Sequence, residues 1–157
     1  MGTHYVLIDY ENVQPDNLAQ LTDPAFRVLV FVGDKQAKIS FALASAMQSL
    51  GSRAEYIKIE GNGQNALDFH IAFYIGQHAT GDNLSQFHII SKDTGFDPLI
   101  RHLKYKQIRI ERREDLATLI QPKAQPAKPV PPKPQAAQAN GTPAFVLPNS
   151  AANPVTA

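Results

Sequence analysis

Hydrophobic and polar positions alternate in blocks over residues 1–121. Short runs rich in apolar and β-branched residues predict strands at 5–8, 26–32, 53–59, 86–90 and 107–110. Segments with helical spacing separate them, at 15–21, 38–50, 65–79, 98–106 and 114–120. This regular alternation of strand and helix is typical of a parallel sheet with helices on both faces.

Right-handed crossovers leave few topologies for such a chain. We therefore predict an α/β fold, a three-layer α/β/α sandwich around a Rossmann-like parallel sheet of about five strands in the order 3-2-1-4-5. In that order the first and fourth strands are neighbours, and the chain reverses its direction across the sheet between them. Open α/β sheets bind ligands at such a switch point, beyond the carboxyl ends of the strands.

The composition changes near residue 122. Residues 1–121 carry all 14 acidic residues and 12 of the 15 Lys and Arg, so their net charge is about −2, against +1 for the whole chain. We predict one domain at 1–121 and a Pro/Ala-rich disordered tail at 122–157, since the tail has too few large apolar residues to offset its ordering entropy. Its apolar island, residues 144–147, is interpreted either as a docking motif or as a random apolar patch.

Several classes of protein are excluded or disfavoured by the sequence. The chain has no cysteine, so it can form neither a disulfide nor a thiolate site. Its first apolar run is too short for a signal peptide or a membrane span, and we expect a cytoplasmic protein without membrane contact. Neither a phosphate-binding P-loop nor a G-x-S-x-G elbow occurs.

Four aspartates are expected at one edge of the sheet. Asp9 ends the first strand, Asp93 and Asp97 follow the fourth, and Asp68 lies early in the helix at 65–79, which is apolar on nearly every side and therefore predicted to be mostly buried. Neighbouring strands are about 4.8 Å apart. Two carboxylates at about 4 Å repel by about 4 kcal/mol at an effective dielectric near 20. Such a cluster either raises a pKa or recruits a hard cation such as Mg²⁺ or Mn²⁺.

Each of these aspartates also has a purely structural interpretation. Asp9 could cap the turn that follows it, and Asp68 could complete a capping box with Asn65 at the N-cap. Asp97 precedes a proline, the usual order of an N-cap and the first helical residue. Asp93, before Thr-Gly, is a plausible turn residue.

Donors for phosphate groups are also expected near this edge. Lys35 and Gln36 follow the second strand, and Lys92 lies beside Asp93. Arg101 and Lys104 belong to a basic segment, 101–113, that is either an electrostatic track for RNA or a solvated helix face followed by a charge-protected edge strand. The histidines do not have a zinc-binding spacing and are interpreted as core or surface residues: His70, His88 and His102.

Four segments together resemble a known family: VLIDYENV, FVGDKQAK, GNGQNALDFHIAFYIG and FHIISKDTGFDPLIRHLK. In this order they are similar to a bacterial PIN-like domain of the NYN type, a member of the PIN nuclease superfamily, over about residues 4–113. The resemblance implies a metal-dependent nuclease with a Rossmann-like sandwich. The family's catalytic pattern falls on Asp9, Asn12, Asp68, Asp93 and Asp97.

The resemblance also implies a role for each of these residues. Asp9 would be the central metal ligand, with Asp68, Asp93 and Asp97 as the other acids, and Asn12 would orient the first loop or a ligand water. Glu11 fits this pattern less well, because its side chain is expected to point away from the crevice.

The implied activity is hydrolysis of RNA within the strand by a metal-activated water, with DNA as the other substrate found in the family. The alternative is a catalytically idle scaffold that binds RNA or a protein partner. A phosphoacceptor function is discounted, because the end of the third strand offers only Glu60. Pairing of PIN-like domains and their restraint by a regulatory protein suggest a homodimer and a protein partner as further expectations.

Overall fold

The structure is a computed structural model that describes residues 2–61, 63 and 65–120, all within a compact unit of residues 1–124. The predicted tail at 122–157, with its apolar island, lies outside the described residues.

Five parallel strands form one sheet in the order β3-β2-β1-β4-β5, as predicted. They are β1 (His4–Asp9), β2 (Phe26–Val32), β3 (Ala54–Lys58), β4 (Gln86–Ile90) and β5 (Arg109–Arg113). The helices are α1 (Phe41–Leu50), α2 (Ala66–Ala79), α3 (Asp97–Tyr105) and α4 (Ala117–Ile120). Short 3₁₀ turns occur at Leu18–Gln20, Gly51–Arg53 and Thr94–Phe96.

Two apolar cores cover the two faces of the sheet. Alternate β1 side chains point to opposite faces, so Val6 and Ile8 join one core and Leu7 joins the other. The first core includes the buried residues of α1 and Leu116, and the second includes those of α2 and α3. The three-layer α/β/α sandwich predicted from the sequence is therefore confirmed.

Some predicted elements begin or end elsewhere. The helix predicted at 15–21 is only the 3₁₀ turn Leu18–Gln20. The helix predicted from residue 38 begins at Phe41, because the Ser40 Oγ caps it by accepting a hydrogen bond from the Leu43 amide at 3.1 Å. The last helix is short, because α4 begins at Ala117 rather than at residue 114.

The fifth strand lies two to three residues later than predicted. Gln107 has a positive φ of 63°, and its amide donates to the carbonyl of Lys104 at the end of α3. This turn delays the extended backbone until Arg109, which is in register with Gln86 of β4. As predicted, β5 is an edge strand.

Helix α2 is not buried on all sides, contrary to the prediction. Only Leu67, Ile71 and Ile75 are fully buried against the sheet, whereas Phe69 and Phe73 are 70% and 65% exposed. In a three-layer sandwich the outer face of each helix meets solvent, so apolar composition alone does not make a helix central. No helix of the described part of the chain is long and apolar enough to cross a membrane.

Candidate active site

A cavity of about 310 Å³ opens at the carboxyl edge of the sheet, above the switch point between β1 and β4. It is lined by five carboxylate side chains and one lysine among the described residues: Asp9, Glu11, Asp34, Asp68, Asp93 and Lys35. Residues from the ends of β1, β2 and β4 and from the first turn of α2 thus meet there. The predicted convergence of Asp9, Asp68 and Asp93 is what the fold produces.

Asp9 is the buried carboxylate of this group, with 1% of its surface exposed. Its Oδ2 accepts hydrogen bonds from Asn12 Nδ2 at 2.7 Å and from Ser91 Oγ at 2.8 Å, and its Oδ1 accepts from the Asn12 amide at 3.3 Å. Asn12 therefore orients the Asp9 carboxylate, whereas the role expected for it, orienting the first loop or a ligand water, stays a prediction.

Ser91 joins Asp9 and Asp93 through hydrogen bonds. It was not among the predicted site residues. Its hydroxyl donates to Asp9 and accepts from the Asp93 amide at 3.0 Å. The predicted strand order makes β1 and β4 neighbours, and the register of Ile8 with Ile90, which the structure supplies, brings the next residues, Asp9 and Ser91, together.

Asp93 has the turn role that one interpretation of the sequence gave it, whereas Asp97 is not the N-cap predicted for it. The 3₁₀ turn Thr94–Phe96 runs directly into α3, so Asp97 already has helical backbone angles and is not the N-cap. Asp93 is the capping residue, since its Oδ1 accepts from the Gly95 amide at 2.7 Å. Its other carboxylate oxygen has no hydrogen-bond partner among the described residues.

Asp97 does not line the cavity with the other aspartates. Its Oδ1 accepts from Arg112 Nε at 2.9 Å, and this hydrogen bond lowers the pKa of Asp97. Asp97 was predicted to be a metal ligand because it follows β4 closely. In the fold its carboxylate is instead directed to the edge strand β5.

Asp68 lies in the first turn of α2 and faces the cavity. Its pKa is raised to about 6, chiefly by burial and then by the negative charges of Asp93, Asp9 and Glu11. The predicted capping box is not formed, because Asn65 has a left-handed backbone (φ 62°) and its side chain makes no capping hydrogen bond. Asp68 is therefore free to act in the cavity.

Glu11 also faces the cavity, contrary to the expectation that it would point away. Its carboxylate lies over Gly33, where an added Cβ would be 1.6 Å from Glu11 Oε1. Gly33 thus leaves the space that this side chain occupies. Asp34, which follows Gly33, also lines the cavity and was not among the predicted site residues.

The predicted phosphate donors are dispersed rather than grouped. Lys35 lines the cavity, and the Gln36 amide side chain donates to the carbonyl of Lys38 at 3.1 Å. Lys92 lines a different surface cavity together with Glu114 and Asp115. Arg101 and Lys104 are exposed on α3, and Lys104 borders a third cavity, at the β4–β5 edge.

Part of the basic segment is committed to structural contacts. Arg112 bonds Asp97 and donates to the carbonyl of Ser91 at 3.1 Å. Arg113 donates to Glu111 at 2.7 Å and to the carbonyl of Thr118. The end of the segment therefore ties β5 to its neighbours, whereas Arg101, Lys104, Lys106 and Arg109 are exposed.

Two of the three histidines singled out in the sequence make internal contacts, and the third is on the surface. His70 Nδ1 lies 2.7 Å from the carbonyl of Ala66, one turn earlier in α2. His88 is buried, with His4 Nδ1 at 3.2 Å and Glu111 Oε1 at 2.9 Å, and burial lowers its pKa. His102 is exposed on α3.

The chemistry of the cavity fits a hard divalent cation. Its carboxylates offer only oxygen ligands. The pKa of Asp68 is raised chiefly by burial and then by the neighbouring negative charges, and a cation would relieve the repulsion among those charges. A full ligand set is nevertheless not preformed: within residues 2–61, 63 and 65–120, no group of three or more acidic or histidine side chains is arranged to hold a metal ion.

Residues 3–113, which include every described residue of the cavity, match the family model of the PIN domain. Neither a search of curated proteins nor a search of solved structures found a match to the chain.

Proposed function

Because the chain belongs to the PIN domain family, as its sequence segments indicated, we propose that it is a metal-dependent nuclease that hydrolyses phosphodiester bonds within RNA. PIN domains are generally nucleases and usually use divalent metal ions. The assignment of RNA as substrate, and of Mg²⁺ or Mn²⁺ as the ion, is our proposal.

One observation carries the proposal: Asp9, Asp68 and Asp93 share one cavity at the switch point, and Asp68 has a raised pKa there. Carboxylates that only cap turns do not need to share a cavity, and their mutual repulsion opposes folding. A bound divalent cation converts that repulsion into attraction.

The ion would be held by Asp9, Asp68 and Asp93, with Asp97 left out of the set because it bonds Arg112. A bound Mg²⁺ or Mn²⁺ supplies a water of lowered pKa and neutralises charge on the phosphate. The chain's own residues orient this site. Asn12 and Ser91 fix the Asp9 carboxylate, and Ser91 also fixes the backbone of Asp93. Lys35, at the cavity wall, is positioned to contact a phosphate group.

The experiment measures thermal unfolding and RNA cleavage in parallel. We expect Mn²⁺ to raise the melting temperature of the wild type, because a ligand that binds only the folded state stabilises it, by about 2.7 kcal/mol at a concentration of about 100 Kd. Asp93→Asn should remove this response and abolish cleavage of single-stranded RNA.

Asp97→Asn is the matched variant, since it changes an aspartate four residues later in the same segment. The ion pair with Arg112 predicts that this variant unfolds more easily but keeps its response to Mn²⁺. If Asp97→Asn lost its stabilisation by Mn²⁺, Asp97 would have to be a metal ligand after all.

The alternative, an idle scaffold that binds RNA or a protein, is favoured by the hydrogen bonds that already occupy Asp9 Oδ2. The same measurements separate the two functions. A wild type that neither responds to Mn²⁺ or Mg²⁺ nor cleaves RNA or DNA would leave the scaffold as the function of this fold.

A further inference from the structure

The loop that joins β2 to α1, residues 33–40, borders the acidic cavity and leads to an exposed aromatic ring. Gly33, Asp34 and Lys35 line the cavity wall. Six residues beyond Lys35, Phe41 opens α1 with 87% of its surface exposed, and Ile39 beside it is 40% exposed. The loop therefore combines cationic and apolar side chains on one segment whose first residues line the proposed site of cleavage.

The backbone of this loop is held at both ends. The ammonium group of Lys58, at the end of β3, donates to the carbonyls of Gly33 at 2.6 Å, Asp34 at 2.9 Å and Gln36 at 3.2 Å. At the other end, the Ser40 amide donates to the Tyr10 hydroxyl at 3.2 Å. These contacts fix where the side chains between them emerge.

Phe41 has no packing role that explains its presence. It belongs to neither apolar core, and no aromatic ring of the described residues packs against it. The α1 N-cap is supplied by Ser40, so the first helical position does not require a phenylalanine either. An exposed ring on a fixed backbone is a surface on which a flat ligand can stack.

The charges around Phe41 indicate what that ligand is. Lys35 and Lys38 are exposed on the same loop, and neither forms an ion pair with a described residue. Helix α2 offers a contrast, because its exposed Phe69 and Phe73 lie on a helix without Lys or Arg. Exposed aromatic rings on the same segment as free cations are typical of surfaces that bind single-stranded nucleic acid, where bases stack on the rings and phosphates contact the cations.

We propose that the loop binds a single-stranded nucleic acid, with a base stacked on Phe41 and the neighbouring phosphates held by Lys35 and Lys38. The proposal rests on the proposed nuclease function for the direction of the strand, since Lys35 lines the acidic cavity and Phe41 follows it on the same segment. A base inside a duplex has both faces covered, so this surface selects unpaired strands. Lys58 is a positioning residue that holds the loop.

Binding in the absence of catalysis tests the proposal. The full chain is titrated in EDTA with a fluorescently labelled short oligouridylate and with an abasic strand of the same length. We expect Phe41→Ala to weaken binding of the oligouridylate about 5- to 150-fold, the range given by stacking of one base. Binding of the abasic strand should not change.

Phe73→Ala is the matched control, because it removes an exposed phenylalanine from another helix. It should bind both strands as the wild type does. Lys35→Gln should weaken both strands equally and reduce the slope of log affinity against log salt by about 0.7, the value for one lost phosphate contact on a single strand.

A second measurement uses the absence of tryptophan from the chain. Phe41→Trp creates a single fluorescent reporter at the proposed stacking position. We expect its emission to be quenched by the oligouridylate and not by the abasic strand. Unchanged emission at saturating oligouridylate would overturn the stacking contact.

The two proposals fail separately. If the wild type cleaves RNA while Phe41→Ala binds oligouridylate as tightly as the wild type, the loop proposal is wrong. If the wild type does not cleave but binds oligouridylate through Phe41, the loop proposal stands and the nuclease proposal is wrong.

Discussion

Asp9 combines a structural and a chemical role in one carboxylate. It is buried and accepts hydrogen bonds from Asn12 and Ser91, yet it lines the cavity with Asp68 and Asp93. Hydrogen bonds to a buried charge stabilise it, whereas its acidic neighbours destabilise it. The hydrogen-bond donors are in direct contact with the Asp9 carboxylate, so we expect their stabilising effect to exceed the repulsion.

A substitution at Asp9 measures that balance. Repulsion alone predicts that Asp9→Asn without metal is no less stable than the wild type. The observed hydrogen bonds predict a loss of about 2 kcal/mol in the free energy of unfolding in EDTA, because the new amide group would face the donors on Asn12 and Ser91. Urea denaturation is the measurement. Equal stability of variant and wild type would show that these hydrogen bonds contribute nothing net.

Asp68 determines how stability depends on pH. Its pKa in the folded protein, about 6, is above the ordinary value of 3.8, so between these values the folded state holds a proton that the unfolded state has released. Its contribution to stability is therefore fully present below about pH 4 and is lost as pH rises to about 6. In EDTA, Asp68→Asn should remove this decline, measured by urea denaturation at a series of pH values.

The comparison of wild type and Asp68→Asn isolates this one group, since other carboxylates titrate in both proteins. Parallel profiles for the two proteins between pH 4 and 6 would contradict the raised pKa. In the wild type, Mn²⁺ affinity should rise over the same range, because the ion competes with the proton for the Asp68 carboxylate.

At the level of elements, the β2–α1 loop depends on an edge strand for its conformation. Lys58 of β3 is in register with Val32, the last residue of β2, so its side chain reaches the carbonyls just beyond. The helix predicted from residue 38 begins only at Phe41 because Ser40 caps it and the loop before it is held in a non-helical form.

Lys58→Met tests the contribution of that contact, since methionine keeps much of the aliphatic stem and removes the ammonium group. We expect exchange of the Gln36 amide, which donates to Gly33 at 3.0 Å, to accelerate about tenfold, equivalent to about 1.4 kcal/mol of local stability. Hydrogen exchange followed by NMR provides the measurement. Lys106→Met, at an exposed lysine outside the loop, should leave this amide unchanged, and equal protection in both variants would refute the role of Lys58.

At the scale of the molecule, acidic and basic side chains of the described residues occupy different places, which the net charge alone does not show. Five carboxylates surround the cavity, while the exposed cations of α3 lie on the helical layer beyond it. The parallel topology produces this arrangement, because it brings the carboxyl ends of all five strands to one edge. A polyanion would be attracted by the cations and reach the cavity only where its phosphates are neutralised.

The sequence by itself determined the fold class, the strand order and the meeting of Asp9, Asp68 and Asp93, because these follow from hydrophobic periodicity and from the handedness of crossovers. Hydrophobic periodicity is a local property of the sequence and crossover handedness is a general rule, so neither requires coordinates. The boundaries of β5 and of the first helices were less predictable, since they depend on single hydrogen bonds at turns.

Only the tertiary structure decided which carboxylate faces which neighbour. Asp97 and Asp93 are four residues apart and chemically identical, yet one bonds Arg112 on the edge strand and the other faces the cavity. Likewise, the roles of Ser91 and Lys58 arise from contacts with residues 82 and 25 positions away. Such contacts join side chains from distant parts of the chain over a few ångströms. The pattern of hydrophobic and polar residues does not specify individual side-chain contacts.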